Sequence, residues 1–166
     1  MQFAARLLDG SAEVTAISHN TKRKDDALQM GATRFLDTSD AQAVKQHARY
    51  FDYLLCTANG KSQDYSAWLS LLRLQGTFCT VGLPATPMPI SAFSLTSAQV
   101  AVTGSSLASI KEIKEMIAFV AAHPDCRPII EQRKMSEANE GLQRLRDGQV
   151  RYRVVLHNEG VSESSA

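Results

Sequence analysis

From residue 13 to residue 123, short β-rich apolar runs alternate with helix-length segments, and this alternation restricts the fold more than any other feature of the chain. Residues 13–18 (EVTAIS), 33–37 (TRFLD), 51–60 (FDYLLCTANG, a buried strand running into a Gly loop), 77–84 (TFCTVGLP) and 99–106 (QVAVTGSS) read as strands. Between them, KRKDDALQMG (22–31) predicts a helix closed by Gly31, SDAQAVKQHA (39–48) one capped by Ser39, and DYSAWLSLLRLQG (64–76) one with Trp68, Leu69, Leu72 and Leu74 on its apolar side. A Ser109/Glu112 capping box opens a helix over 109–123. Pro84, Pro87 and Pro89 are expected to deny regular structure to 85–97. Strands separated by helices of this length predict a parallel α/β sheet.

The last third differs. PIIEQRKM (128–135) alternates like a half-exposed strand, SEANEGLQRLRDG (136–148) is a polar helix between a Ser136 cap and Gly148, and QVRYRVVL (149–156) is again a strand. This predicts a main sheet domain over 1–123, a strand-helix-strand appendage over 124–157, and a polar, disordered tail over 158–166.

Composition excludes several classes of function. With 166 residues, 44% of them hydrophobic, the chain suffices for one domain with a core. Lys plus Arg is 18 against 17 for Asp plus Glu, a net charge of +1, so there is no global field to gather nucleic acid or an acidic membrane. The three cysteines, Cys56, Cys79 and Cys126, are far apart and form no CxxC, so neither a disulfide frame nor a zinc site is expected. Buried thiols, no apolar run of about 20 residues and no signal-like start predict a cytoplasmic protein without a membrane span.

In an open parallel sheet, ligands bind at the carboxyl ends of the strands. Here those positions are Ser18-His19-Asn20, Thr57-Ala58-Asn59-Gly60, Val81-Gly82-Leu83 and Gly104-Ser105-Ser106, all small or polar but for two aliphatic residues. Loops are rich in such residues anyway; four sets in four places favour a site. In dinucleotide-binding folds an acid at the end of the second strand accepts the ribose 2′-hydroxyl of NAD, and a basic, hydroxylic cluster accommodates the 2′-phosphate of NADP. Ser18 stands there without an acid, followed by His19 and by Lys22, Arg23 and Lys24, three cations placed where a helix dipole is positive. A bound phosphate would account for them; a solvated turn paired with Asp25 and Asp26 is the alternative.

The segments VTAISHNTKRKDDALQMGA, GTFCTVGLP, VTGSSLASIKEIKEMIAF and QVRYRVVLHNEG, in this order, resemble the cinnamyl alcohol dehydrogenase-like, NADP-dependent branch of the zinc-dependent medium-chain alcohol dehydrogenases. The resemblance runs from residue 1 to about residue 160 and implies a Rossmann-like parallel sheet with flanking helices. It implies NADP(H) as cofactor, with Ser18, His19, Lys22 and Arg23 at the 2′-phosphate and Thr57 and Ala58 along the adenosine and pyrophosphate channel. Val81, Gly82 and Leu83, with Ser105, Ser106 and Leu107, would meet the nicotinamide, and Arg153 would reach the pyrophosphate. His19 and Ser106 depart from the residues common there.

The same resemblance implies that the first strand, the glycine turn and the zinc-bearing catalytic domain are not in this sequence. The chain is therefore expected to hold no catalytic residue and no zinc, and to lack the central strand of the order 3-2-1-4-5-6. Three readings stay open: the carboxyl-terminal part of an alcohol dehydrogenase or aldehyde reductase acting on a small aldehyde or primary alcohol; a weak NADP(H)-binding module; and a truncated remnant that forms a homodimer or pairs with an intact relative through residues 99–105.

Overall fold

The computed structural model describes residues 1–8, 10–59 and 63–158. It divides into two compact units, Met1–Ile113 and Lys114–Ala166. The expected tail beyond Asn158, and Gly60 of the loop after the third strand, lie outside the described residues.

The first unit begins with helix α1 (Gln2–Leu8) and strand β1 (Thr15–Ser18), followed by α2 (Lys24–Gln29), β2 (Arg34–Asp37), α3 (Ala41–Gln46) and β3 (Phe51–Cys56). After these come α4 (Tyr65–Ser70), β4 (Leu72–Thr80), α5 (Ala92–Thr96) and β5 (Ala101–Gly104). All ladders are parallel, as the alternation predicts. They form two separate sheets, β1-β2 and β3-β4-β5. β1 and β3 are not hydrogen-bonded to each other; in the doubly wound order 3-2-1-4-5-6 the two sheets correspond to the two strands on one side of the central strand and the three on the other.

Side chains, not a ladder, join the two sheets. Leu36 of β2 lies in one buried cluster with Leu54, Tyr65, Leu69, Leu71, Leu72, Phe78, Ala98 and Val100, and Ile17 of β1 packs against it. Burying each leucine, valine or phenylalanine of this cluster contributes roughly 1.5–3 kcal/mol. Gly31 ends α2 at φ +95°, and a Cβ there would stand 2.7 Å from Ala5 Cβ, so only glycine lets this turn close against α1.

Several sequence-based expectations are corrected. The helix expected over 64–76 stops at Ser70, because Leu71 and Leu72 are both buried and the chain turns directly into β4, leaving Leu74 exposed on a strand. A register shift between Phe51 and Tyr53 absorbs the extra residues, and Gln75 takes up a left-handed φ of 62°. The proline-rich segment does contain a helix, α5, because the Ser91 hydroxyl accepts from Phe93 N at 3.2 Å. Asp40, not Ser39, caps α3, since the Ser39 N–H and hydroxyl both donate to Asp37. β5 starts at Ala101, because Gln99 has a left-handed φ of 51° and Val100 is buried.

The division between the units falls within α6 (Ile110–Ala122), which opens with the expected capping box. Glu112 Oε2 accepts from Ser109 N and Oγ at 2.7 Å, and Ser109 Oγ accepts from Glu112 N at 3.3 Å. The second unit pairs β6 (Glu131–Lys134) with β7 (Val154–His157) in parallel, through α7 (Ala138–Arg146). Ser136 does not cap α7: it sits in a 3-10 turn, Met135–Glu137, where the Glu137 carboxylate accepts from Lys134 N at 2.9 Å. The last strand is shorter than expected, since Tyr152 has φ 78° just before it. Ile129, Met135, Leu142, Leu145 and Val155 remain exposed in this unit. Among the described residues no helix is long and apolar enough to cross a membrane.

Candidate dinucleotide site

The carboxyl ends of β1 and β3 open onto a cavity of about 680 Å³, within the range of small-molecule sites. Ile17, Ser18 and His19 form one wall. Thr38 and Val44 reach it from the β2–α3 side, and Ala58, Gln63, Asp64, Ala67, Trp68 and Leu71 come from β3 and α4. The structure therefore brings together Ser18, His19 and Ala58 of the expected site, with Thr57 adjacent to Ala58 in the chain. The other lining residues, Gln63, Asp64 and Trp68 among them, carry no site signal in the sequence: the spacing of Trp68 marks only the apolar side of a helix.

Local hydrogen bonds fix the β1 end. Thr38 donates to the Ser18 carbonyl through N at 2.8 Å and Oγ1 at 3.3 Å. Asn20 Nδ2 lies 2.9 Å from His19 Nε2, and Asn20 Oδ1 accepts from Lys22 N at 3.1 Å. Lys22 and Arg23 lie in this turn, ahead of α2, which corrects the expectation of three cations in a first helical turn. Only Lys24 belongs to the helix, and Asp25 and Asp26 share its first turn. The dipole of this six-residue helix thus gives no reason by itself for an anion.

One acid, Asp64, lines the cavity, and a second, Asp37, precedes the lining residue Thr38; both are engaged. Asp37, opposite Ser18 in the ladder, is held below the usual carboxylate range first by the Ser39 N–H, then by the Ser39 hydroxyl, with a smaller contribution from His19. Asp64 caps α4, accepting from Ala67 N at 3.0 Å.

The ends of β3 and β4 interlock. Cys56 O accepts from Val81 N at 3.0 Å and Gly82 N at 3.3 Å. Leu83 N donates to Asn59 Oδ1 at 2.7 Å, and Thr80 Oγ1 donates to Gly82 O at 3.1 Å. A Cβ on Gly82 would lie 2.5 Å from Ala58 O and 2.7 Å from Asn59 Oδ1, so the two loops approach this closely only with glycine there. Beyond β5, Ser105 N donates to Thr80 O at 3.0 Å, while Ser106 and Leu107 are exposed. Val81, Gly82, Leu83, Ser105, Ser106 and Leu107 thus follow neighbouring strands at one end of a single sheet. Arg153 belongs to the second unit, where its carbonyl accepts from Glu131 N at 2.8 Å.

Residues 1–122 match the family of zinc-binding dehydrogenases. The chain belongs to that family. Among curated zinc-binding dehydrogenase relatives, the probable formaldehyde dehydrogenase AdhA of Bacillus subtilis (strain 168) is 36% identical over 156 residues, 94% of this chain and 43% of its own length. The NADP-dependent alcohol dehydrogenase C 1 of Mycolicibacterium smegmatis is 38% identical over 145 residues, 87% of this chain and 41% of its own. Among solved structures, cinnamyl alcohol dehydrogenase SbCAD4 from Sorghum bicolor superposes with a TM-score of 0.83 at 29% identity, over 93% of this chain and 43% of that one. The CAD from Helicobacter pylori complexed with NADP(H) gives 0.76 at 28% identity, with the same coverage. The chain thus spans about two fifths of these relatives and corresponds to their carboxyl-terminal, Rossmann-like cofactor-binding part.

The family's metal does not fit this part. Among the described residues no three His, Cys, Asp or Glu side chains come together to hold a metal, and the three cysteines are free thiols, Cys79 and Cys126 buried and Cys56 half-buried. A dinucleotide fits better: the cavity has hydroxyl, imidazole and amide groups among its lining residues, and two cations follow in the adjoining turn.

Proposed function

We propose that this chain is the cofactor-binding portion of an NADP(H)-dependent alcohol dehydrogenase or aldehyde reductase that interconverts a small aldehyde and its primary alcohol. The observation that carries this reading is the cavity at the ends of β1 and β3, where Ser18 and His19 replace an acid and Lys22 and Arg23 follow at once. Relatives named as NADP-dependent alcohol dehydrogenase and as aldehyde reductase support it.

In this reading Ser18, His19, Lys22 and Arg23 donate to a 2′-phosphate, which favours the phosphorylated cofactor through charge-assisted bonds. Ala58 and Thr57 line the adenosine and pyrophosphate channel, and Trp68 offers an apolar wall beside it. Val81, Gly82 and Leu83, with Ser105, Ser106 and Leu107, border the nicotinamide end. Bound there, NADPH supplies the hydride that reduces the aldehyde. The polarising metal and the substrate pocket belong to the rest of such an enzyme.

A second reading, self-pairing or pairing with an intact relative, is favoured by one observation: β5 is the outer strand of its sheet and carries no charged residue.

The test compares adenosine 2′,5′-bisphosphate with AMP, which differ only in the 2′-phosphate, using Trp68 fluorescence of the 166-residue chain as the reporter. Tighter binding of the bisphosphate by about 10-fold or more is expected from one or more charge-assisted contacts. Equal binding contradicts the reading.

A further inference from the structure

We infer that Asn59 is a positioning residue for the nicotinamide end of the cofactor, acting by holding the Gly82–Leu83 peptide in one orientation. The inference rests on the dinucleotide reading above and adds to it a residue with no role there.

Both polar groups of that peptide are taken by side chains from two different strand ends. Its carbonyl, Gly82 O, accepts from Thr80 Oγ1 at 3.1 Å, and its N–H, on Leu83, donates to Asn59 Oδ1 at 2.7 Å. The preceding residues are fixed as well, since Val81 N and Gly82 N both donate to Cys56 O. A peptide whose N–H and C=O are both bonded cannot flip without breaking two hydrogen bonds. The Asn59 side chain spans the loops after β3 and β4, and Gly82 has no Cβ to keep them apart: one built there falls 2.7 Å from Asn59 Oδ1 itself. Leu83 is 89% exposed and Val81 42%, so little packing from their own side chains holds this turn. Its orientation therefore depends on the clamp. Val81, Gly82 and Leu83, half of the residues that border the nicotinamide in the proposed site, are those the clamp fixes, whereas the adenosine end, at Ser18 and His19, is built by β1 and Thr38 without Asn59. Removing the clamp should uncouple the two ends of one ligand.

The measurement is ligand-observed saturation-transfer NMR of NADP+ with the 166-residue chain, reading the ratio of nicotinamide to adenine proton saturation. Asn59→Ala is expected to lower that ratio about fivefold, the scale of one lost hydrogen bond, with adenine saturation unchanged. Asn59→Asp keeps an acceptor oxygen for the Leu83 N–H and is expected to restore the ratio. Thr80→Val, which removes the other half of the clamp, is expected to lower it too and serves where Asn59→Ala does not fold. An unchanged ratio in Asn59→Ala and Thr80→Val, or no rescue by Asn59→Asp, overturns the inference. Adenine saturation without nicotinamide saturation in the unsubstituted chain overturns it alone; no saturation of either end overturns the dinucleotide reading and this inference together.

Discussion

The Tyr50 hydroxyl donates a 3.0 Å hydrogen bond to Glu13, and the other oxygen of that carboxylate pairs with Arg34 Nε at 2.6 Å. Glu13 precedes β1, Arg34 starts β2 and Tyr50 precedes β3, so the three tie two sheets that share no ladder. Arg34 also lies over the Tyr50 ring, 5.8 Å from its centroid. Tyr50→Phe keeps the edge-on ring contacts to His47 and Phe51 and removes only the hydroxyl. Amide exchange in β1 and β2 should then speed up while β4 and β5 keep their protection; a uniform change across both sheets would show that the bond does not link them.

Glu112 gives a pH signature for α6. The Ser109 hydroxyl and N–H hold its carboxyl below the ordinary value of 4.5. Because the folded state prefers the charged form, the cap's contribution is complete above 4.5 and is lost as pH falls through the lower folded value. Amide exchange at the start of α6 should accelerate on acidification below 4.5, and Glu112→Gln should flatten that response. A carboxyl that titrates at or above 4.5 by NMR counts against the cap.

The edge of β5 can be tested apart from the core. Val100 is only 7% exposed and belongs to the core cluster, so a lysine there would probe folding rather than pairing. Ala101 and Thr103 are exposed edge positions. Lysines at both should shift any self-associated species toward monomer in sedimentation, since charge on an edge strand opposes further pairing. A mass that does not change with these substitutions removes edge pairing as the mode of association.

Strand ends were legible in the sequence because they depend on local pattern: β1 stops at Ser18, β3 at Cys56, β4 at Thr80 and β5 at Gly104, next to the small or polar residues that mark them. The α4–β4 junction was not, because Leu69, Leu71 and Leu72 are all buried and an unbroken apolar run does not say where a helix becomes a strand. The basic turn misled for a related reason. Helical spacing continues back through Lys22 and Arg23, but the Asn20 side chain takes the Lys22 N–H, and Arg23 has φ −116° and ψ 21°. Most of the cavity wall was invisible too, since residues as far apart in the chain as Ser18 and Trp68 come to line one cavity only through folding. Asn59 stood in plain view beside the strand end, yet its bond to Leu83, 24 residues away, has no local trace.

The choice between NADPH and NADH tests the central claim most directly. Calorimetric titration of the chain with each cofactor should show NADPH bound more tightly, by about 10- to 100-fold for each charge-assisted contact to the 2′-phosphate. Added salt should weaken NADPH more than NADH, because the exposed phosphate contacts are screened. Replacing Ser18→Asp together with Arg23→Ala should narrow or reverse the preference, since an acid there repels the phosphate and offers the NAD ribose an acceptor. Equal binding of the two cofactors by the unsubstituted chain, or an undiminished NADPH preference in the double variant, would contradict the account and leave Lys22 and Arg23 as a solvated turn.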